Sequence, residues 1–262
     1  MPQNRSPLTA RLKSRLRQVS FLRRLKRSVI GPRIPPRRPG VEVVREYIGG
    51  LEAGADLKVA FGGHWSDNPG WLLLTEADQD ITTRLHFDDR SVDVVFSEHV
   101  IEHVSFVGGV HYLQECARIL KPGGICRTVC PMLDRMMQVD FRSDNGITYI
   151  ENSLKPFYSE ANEILTDLQL GGLRENAVPF FFAALYMGHE HRFIWTSDLM
   201  IKVMKAVGFR EARRVNVGEG RRPEVCIERR RRGVYLGHDW REELLVDREP
   251  FDVESLVVEA IR

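Results

Sequence analysis

The chain has 262 residues, 43% of them hydrophobic and 28% charged, with a formal net charge of +2 at pH 7. That length suits one sizeable α/β domain with additions and leaves little room for a second full domain, while the lack of any apolar run of membrane-spanning length speaks against an integral membrane protein. The small net charge hides a division, because residues 1–40 carry twelve Lys and Arg and no acid, whereas the other 222 residues hold 26 basic against 36 acidic side chains.

In the basic segment Leu8, Leu12, Leu16, Val19, Leu22, Leu25 and Val29 recur at three- and four-residue steps with arginines between them. This pattern predicts a basic amphipathic helix over residues 8–30. Pro32, Pro35, Pro36 and Pro39 then form a stiff linker to Gly40, the boundary of the main domain at 41–262. The helix could adsorb to anionic lipid, contact RNA, serve as an organelle-targeting presequence, or dock on the acidic body. With no secretory signal evident, the expected location is the cytoplasm, at most peripheral to a membrane.

Helical periodicity follows at Val44, Tyr47, Ile48 and Leu51, then short apolar runs at Lys58–Phe61 and Trp71–Leu74 that read as strands. The stretch from Val92 to Pro131 is the most informative. A β-branched run, Val92 to Phe96, leads through the polar turn Ser97 to His103 into a periodic helix, Val107 to Leu120. Lys121-Pro-Gly-Gly124 stops that helix before another apolar run, Gly124 to Cys130. Strand, helix and strand in this order make a right-handed βαβ unit and predict a parallel sheet, whose ligands sit outside the carboxyl ends of the strands. The four cysteines lack metal-ligand spacing and read as reduced, packed thiols, with no structural zinc.

The segment Asp80 to Asp93, then SEHVIEH, then ILKPGG, matches in register the pattern D-x-x-x-P-L-P-F-x-D-x-S-F-D-x-V, S-x-H-V-L-E-H, V-L-K-P-G-G. It therefore resembles the class I S-adenosylmethionine (SAM)-dependent methyltransferases, in their type 11-like subgroup. The resemblance implies a Rossmann-like, doubly wound sheet of seven strands with an antiparallel last strand, and SAM as cofactor. It places Phe61, Gly62 and Gly63 in the glycine-rich cofactor loop, where the backbone must approach the ligand closely. It also places Ser97, Glu98 and His99 beside the sulfonium, after the fourth strand of the fold. The chain departs from the pattern at His64, where the subgroup has glycine, and at Thr75, where the ribose-binding acid normally ends the second strand. Glu76, one place later, can serve instead. Asp80 matches the acid that meets the adenine amine, and equally reads as a turn cap. His103 reads as a cap for the following helix.

Beyond Pro131 the resemblance thins. Residues 132–195 and 219–253 read as insertions on the acceptor side, and within the second Arg221–Arg232, with its run Arg229–Arg232, reads as an exposed basic insertion. The aromatic run Phe180-Phe-Phe182 with Tyr186 is either core or the wall of an acceptor pocket. His189 and His191 occupy the turn before the helix Leu199–Val207 and are the expected catalytic bases. Metal binding is not expected there, because no third ligand is evident in the sequence. Phe209–Val217 and Glu254–Ile261 read as the closing antiparallel strands.

The expected activity is methyl transfer from SAM to a small-molecule or glycan acceptor, most readily a hydroxyl. A degenerate fold that only binds is the alternative, with RNA methylation and nucleic-acid contact ranked behind it, and the oligomeric state is not readable. The tail makes one measurable difference: vesicles of anionic lipid should retain the full-length protein at low salt and release it as salt rises, while a variant lacking residues 1–38 should not bind. Equal retention of both proteins would remove the tail from any role at a membrane.

Overall fold

The computed structural model describes residues 40–62, 69–131, 133–137, 142–144, 147, 150–151, 157–183, 185–186, 190–216, 218–228 and 255–262. The chain divides into Met1–Arg38 and Pro39–Arg262, and every described residue belongs to the second unit. The amphipathic segment 8–30, the proline linker, Gly63, His64, His189 and the Arg229–Arg232 run lie outside the described residues.

The elements run α1 (Gly40–Gly49), β1 (Lys58–Phe61), β2 (Leu72–Leu74), β3 (Val92–Glu98), α2 (Phe106–Ile119), β4 (Leu120–Pro131), α3 (Leu133–Met136), α4 (Phe157–Asp167), α5 (Ala177–Ala183), α6 (Ser197–Ala206), β5 (Glu211–Val215) and β6 (Ser255–Ile261). The strands form one sheet in the order β2-β1-β3-β4-β6-β5. β1 to β4 pair in parallel, and β6 lies antiparallel between β4 and β5. The α/β class and the antiparallel last strand agree with expectation. Among the described residues no helix is long and apolar enough to cross a membrane.

Local chemistry sets the central unit. Ser105, not His103, caps α2 by accepting from the Gly108 N–H at 3.2 Å. Tyr112, Leu113, Cys116, Ala117 and Ile119 form the buried face of α2. Pro122 lies just beyond its end, and Gly123, at φ +82°, lets residues 121–124 bulge from β4, so the pairing with β3 jumps from Val92–Leu120 to Val94–Ile125. α6 begins at Thr196, whose hydroxyl accepts from the Leu199 N–H, and stops at Gly208, φ +112°.

The sheet has six strands among the described residues, not the seven that the resemblance implies. Five residues separate Leu74 at the end of β2 from Asp80, too few for a crossover helix and a further strand. The segment Leu85-His86-Phe87, with Leu85 and Phe87 buried, is held by side chains instead of an edge partner among the described residues. The Leu85 N–H donates to Glu115 Oε2 (2.8 Å) and the His86 N–H to Gln79 Oε1 (3.1 Å), while Arg118 donates to the carbonyls of Leu85 (3.0 Å) and Phe87 (2.8 Å).

One face of the sheet buries Val59, Phe61, Leu72, Leu74 and Val95 beneath α1, α2 and α6. On the other face Ala60, Val94, Phe96, Ile125, Val129 and Val257 are covered by Trp71 and by Val225 and Ile227. Within the expected basic insertion Arg221, Pro223 and Glu224 are exposed, but residues 225–228 are not. They strap the second face, with Val225, Cys226, Ile227 and Glu228 buried. The strap is anchored on Arg127 of β4, which is wholly buried and donates to both oxygens of Glu228, to Glu259 Oε2 (3.2 Å) and to the Glu219 carbonyl (2.9 Å). A third cluster, Ile150, Leu173, Ala177, Phe181, Leu185 and Ile194, builds the segment after β4. The aromatic run divides there, with Phe181 in this core and Phe182 and Tyr186 exposed. All four cysteines are free and buried, and burial pushes the thiols of Cys116, Cys130 and Cys226 up.

Two tests follow from these anchors. Arg127→Ala leaves two carboxylates buried without their counter-ion and should cost about 3–5 kcal/mol in denaturant unfolding; a loss under about 1 kcal/mol would mean the strap is held by apolar packing alone. The second concerns acid. The Arg118 guanidinium beside Glu115 holds that carboxyl below its usual range, despite burial. A carboxyl depressed by folding contributes stability that is complete above its unfolded value, about 4.3, and is lost as pH falls through the folded value. Unfolding free energy should thus drop more steeply between pH 5 and pH 3 for the wild type than for Glu115→Gln.

Candidate active site

β1 and β3 pair with Phe61 beside Ser97, so the chain leaves both strands at the same edge of the sheet, its carboxyl end. Gly62 turns there with φ +89°, and its N–H donates to the Leu74 carbonyl at 3.1 Å. A Cβ at this position would lie 1.9 Å from Val100 Cγ2 and 3.1 Å from the Glu98 carbonyl. Glycine is thus required by the neighbouring loop itself, in addition to any approach of a ligand. The Phe61 ring belongs to the core, edge-on to Tyr112 at 5.6 Å, which leaves only its backbone for a ligand.

Ser97 and Glu98 are buried at the end of β3, with the Ser97 hydroxyl 3.4 Å from that of Thr128. His99 adopts a left-handed conformation, φ +52°, uncommon for a residue other than glycine. Its N–H donates to the Val129 carbonyl, and its Nδ1 lies 2.9 Å from Glu102 Oε1. Glu102 has no exposed surface. Burial pushes its carboxyl up, but the hydrogen bond and charge of His99, with the charge of His103, hold it below the usual carboxylate range.

The Glu102 carbonyl accepts from the N–H groups of both Arg192 (2.7 Å) and Phe193 (3.2 Å). That pair of bonds brings the turn containing His191 onto the loop after β3. The His103 and His191 rings meet edge to face with centroids 5.0 Å apart, and His191 is 9% exposed. The sequence placed His99 and His191 at the site and passed over Glu102 and His103, although the spacing from His99 to Glu102 was the available signal.

The other expected residues are more loosely placed. Glu76 is exposed in the turn after β2, where Asp78 Oδ2 accepts from both the N–H (2.9 Å) and the hydroxyl (2.6 Å) of Thr75. Asp80 is exposed, and its Oδ1 accepts from the Thr82 hydroxyl (2.7 Å) and N–H (2.8 Å), which lower its pKa. It caps its own turn, as one of the two sequence readings had it.

The donor chemistry tests the fit of SAM to this edge. SAM presents an ammonium group, two ribose hydroxyls and an adenine amine, all donors. Glu98 ends β3 beside Gly62, Glu76 and Asp80 both follow β2, and all three are acceptors. The residues fit the cofactor, with Glu98 the buried member of the set.

The profile of a methyltransferase-domain family matches residues 66–128, from the approach to β2 through most of β4. A search of curated proteins returns no match. Among solved structures, a SAM-dependent methyltransferase of Thermotoga maritima, described as a possible histamine N-methyltransferase, is similar at 14% identity over 85% of this chain and 89% of its own, with a TM-score of 0.37. A SAM-dependent methyltransferase of Archaeoglobus fulgidus aligns at 12% identity over 85% and 92%, with a TM-score of 0.38. A possible exported protein of Bordetella parapertussis aligns at 14% identity and a TM-score of 0.39, where 85% of this chain spans 66% of that one. The matched stretch carries both the SEHVIEH loop and the KPGG bulge, so residues 66–128 are similar to a methyltransferase domain.

Proposed function

We propose that the protein methylates a hydroxyl of a small-molecule or glycan acceptor. The observation that supports this reading is the hydrogen bond from His99 Nδ1 to the buried Glu102 carboxylate. A carboxylate on Nδ1 fixes the imidazole with its proton there and its lone pair on Nε2, the arrangement of a general base with an orienting acid. An alcohol needs such a base and an amine does not. When bound, SAM supplies an electrophilic methyl group whose transfer leaves the bonding electron pair on sulfur. The acceptor oxygen forms the new C–O bond, and its proton passes to Nε2 of His99. Glu98 and Gly62 belong to the cofactor side of the site, and His191 to the acceptor side. The basic segment at 8–30 would bring the enzyme to an anionic membrane surface.

A second reading, a binding protein on a degenerate fold, draws on the shortened connection after β2 and on Asp80, whose Oδ1 is occupied by its own turn. Calorimetry with SAM and with S-adenosylhomocysteine separates the two, since a site that has decayed should bind neither. In a methyl-transfer assay over a panel of alcohols, phenols and amines, His99→Ala should lower turnover about a hundredfold with SAM affinity unchanged. It should also flatten the rising limb of the pH–rate profile. Unaltered turnover in His99→Ala, with turnover lost in His189→Ala or His191→Ala, would move the base to the other turn.

A further inference from the structure

We propose that Glu102, His103 and His191 bind one divalent transition-metal ion of the zinc type. Their ligand atoms all lie within 4.8 Å of one another. Two imidazoles and one carboxylate form a donor set suited to zinc, cobalt or iron(II) and poorly suited to magnesium or calcium. Ligand bonds of roughly 2.0–2.2 Å need the three atoms somewhat closer, a small adjustment for His103, whose side chain is 41% exposed.

Two further observations point to a cation here. Glu102 is fully buried, and its Oε2 finds no hydrogen-bond partner among the described residues, an arrangement that costs free energy unless a positive group meets it. The two ligand-bearing turns are also locked together by backbone, through the bonds from Arg192 and Phe193 to the Glu102 carbonyl, so the ligands are arranged before any ion arrives. His99, bonded to Glu102 Oε1, then supports a ligating carboxylate from outside the coordination shell. Three protein ligands leave a position open, and an acceptor hydroxyl there would become more acidic before His99 takes its proton. That role rests on the O-methylation reading, whereas the binding of the ion does not.

The test uses full-length protein freed of metal by a chelator and titrated with zinc chloride by calorimetry, and with cobalt(II) chloride by visible absorption. We expect about one equivalent of zinc and cobalt bands of low coordination number. His103→Ala and His191→Ala should each weaken binding at least as much as the 10–100-fold typical of losing an outer-shell partner. His99→Ala should fall within that range, and His86→Ala, on an exposed residue elsewhere, should match the wild type. Glu102→Gln alters a wholly buried side chain, so the decisive variant is His103→Ala, with its fold checked by circular dichroism. No zinc binding by the wild type at micromolar concentration, or unchanged affinity in both His103→Ala and His191→Ala, overturns the proposal. SAM affinity measured without metal reports separately on the methyltransferase reading, so either can fail alone.

Discussion

A parallel sheet is apolar on both faces and folds only if both are covered. Here the connections from β1 to β2 and from β2 to β3 are short, and the chain closes the second face with the strap at 218–228. The strap is fixed by a buried guanidinium gripping two buried glutamates, one on the strap and one on β6. Burial works against the Arg127 charge, yet Glu228 and Glu259 keep its pKa raised. Such a triad adds little net stability over an apolar core of the same shape, but it tolerates only one alignment of its members. It sets the register of the strap on the sheet, much as a lone polar residue sets register in a coiled coil.

The same economy is visible at the other edge. With no further strand beyond β2 among the described residues, the trio Leu85-His86-Phe87 exchanges a ladder of backbone bonds for bonds to Glu115, Gln79 and Arg118. These contacts tie the segment after Asp80 to α2, and α2 follows directly on the loop that carries His99 and Glu102. The candidate active site therefore rests on a helix held at both ends: by Ser105 at its start, and by Arg118 and the bulge of residues 121–124 at its finish.

What could be read from the sequence was what local chemistry determines. The β3–α2–β4 unit, the stop at Pro122 and the capped helix α6 all declare themselves through period, cap and glycine within a few residues of one another. The seventh strand was expected only from resemblance, and simple chain length between Leu74 and Asp80 argued against it. Arginines at 221 and 222 drew attention to charge, while the apolar Val225 and Ile227 that decide the strap's place were too short a run to stand out. Half of the histidine cluster was legible because Ser97-Glu98-His99 follows a strand. The meeting of Glu102 and His103 with His191 depends on backbone bonds across some ninety residues, and no local pattern encodes such a pairing.

Arg127 has a consequence for the order of events during synthesis. Its partners Glu228 and Glu259 stand 101 and 132 residues further along the chain, and β6, which carries the second, inserts between β4 and β5 instead of adding at the rim. While β1 to β4 are already outside the ribosome, the inner edge of β4 has no neighbour and its arginine no counter-ion. The nascent chain must hold a charged, open-edged sheet until residues 255–261 emerge, and that interval is when a chaperone, or pairing with a second nascent copy, would have its opportunity.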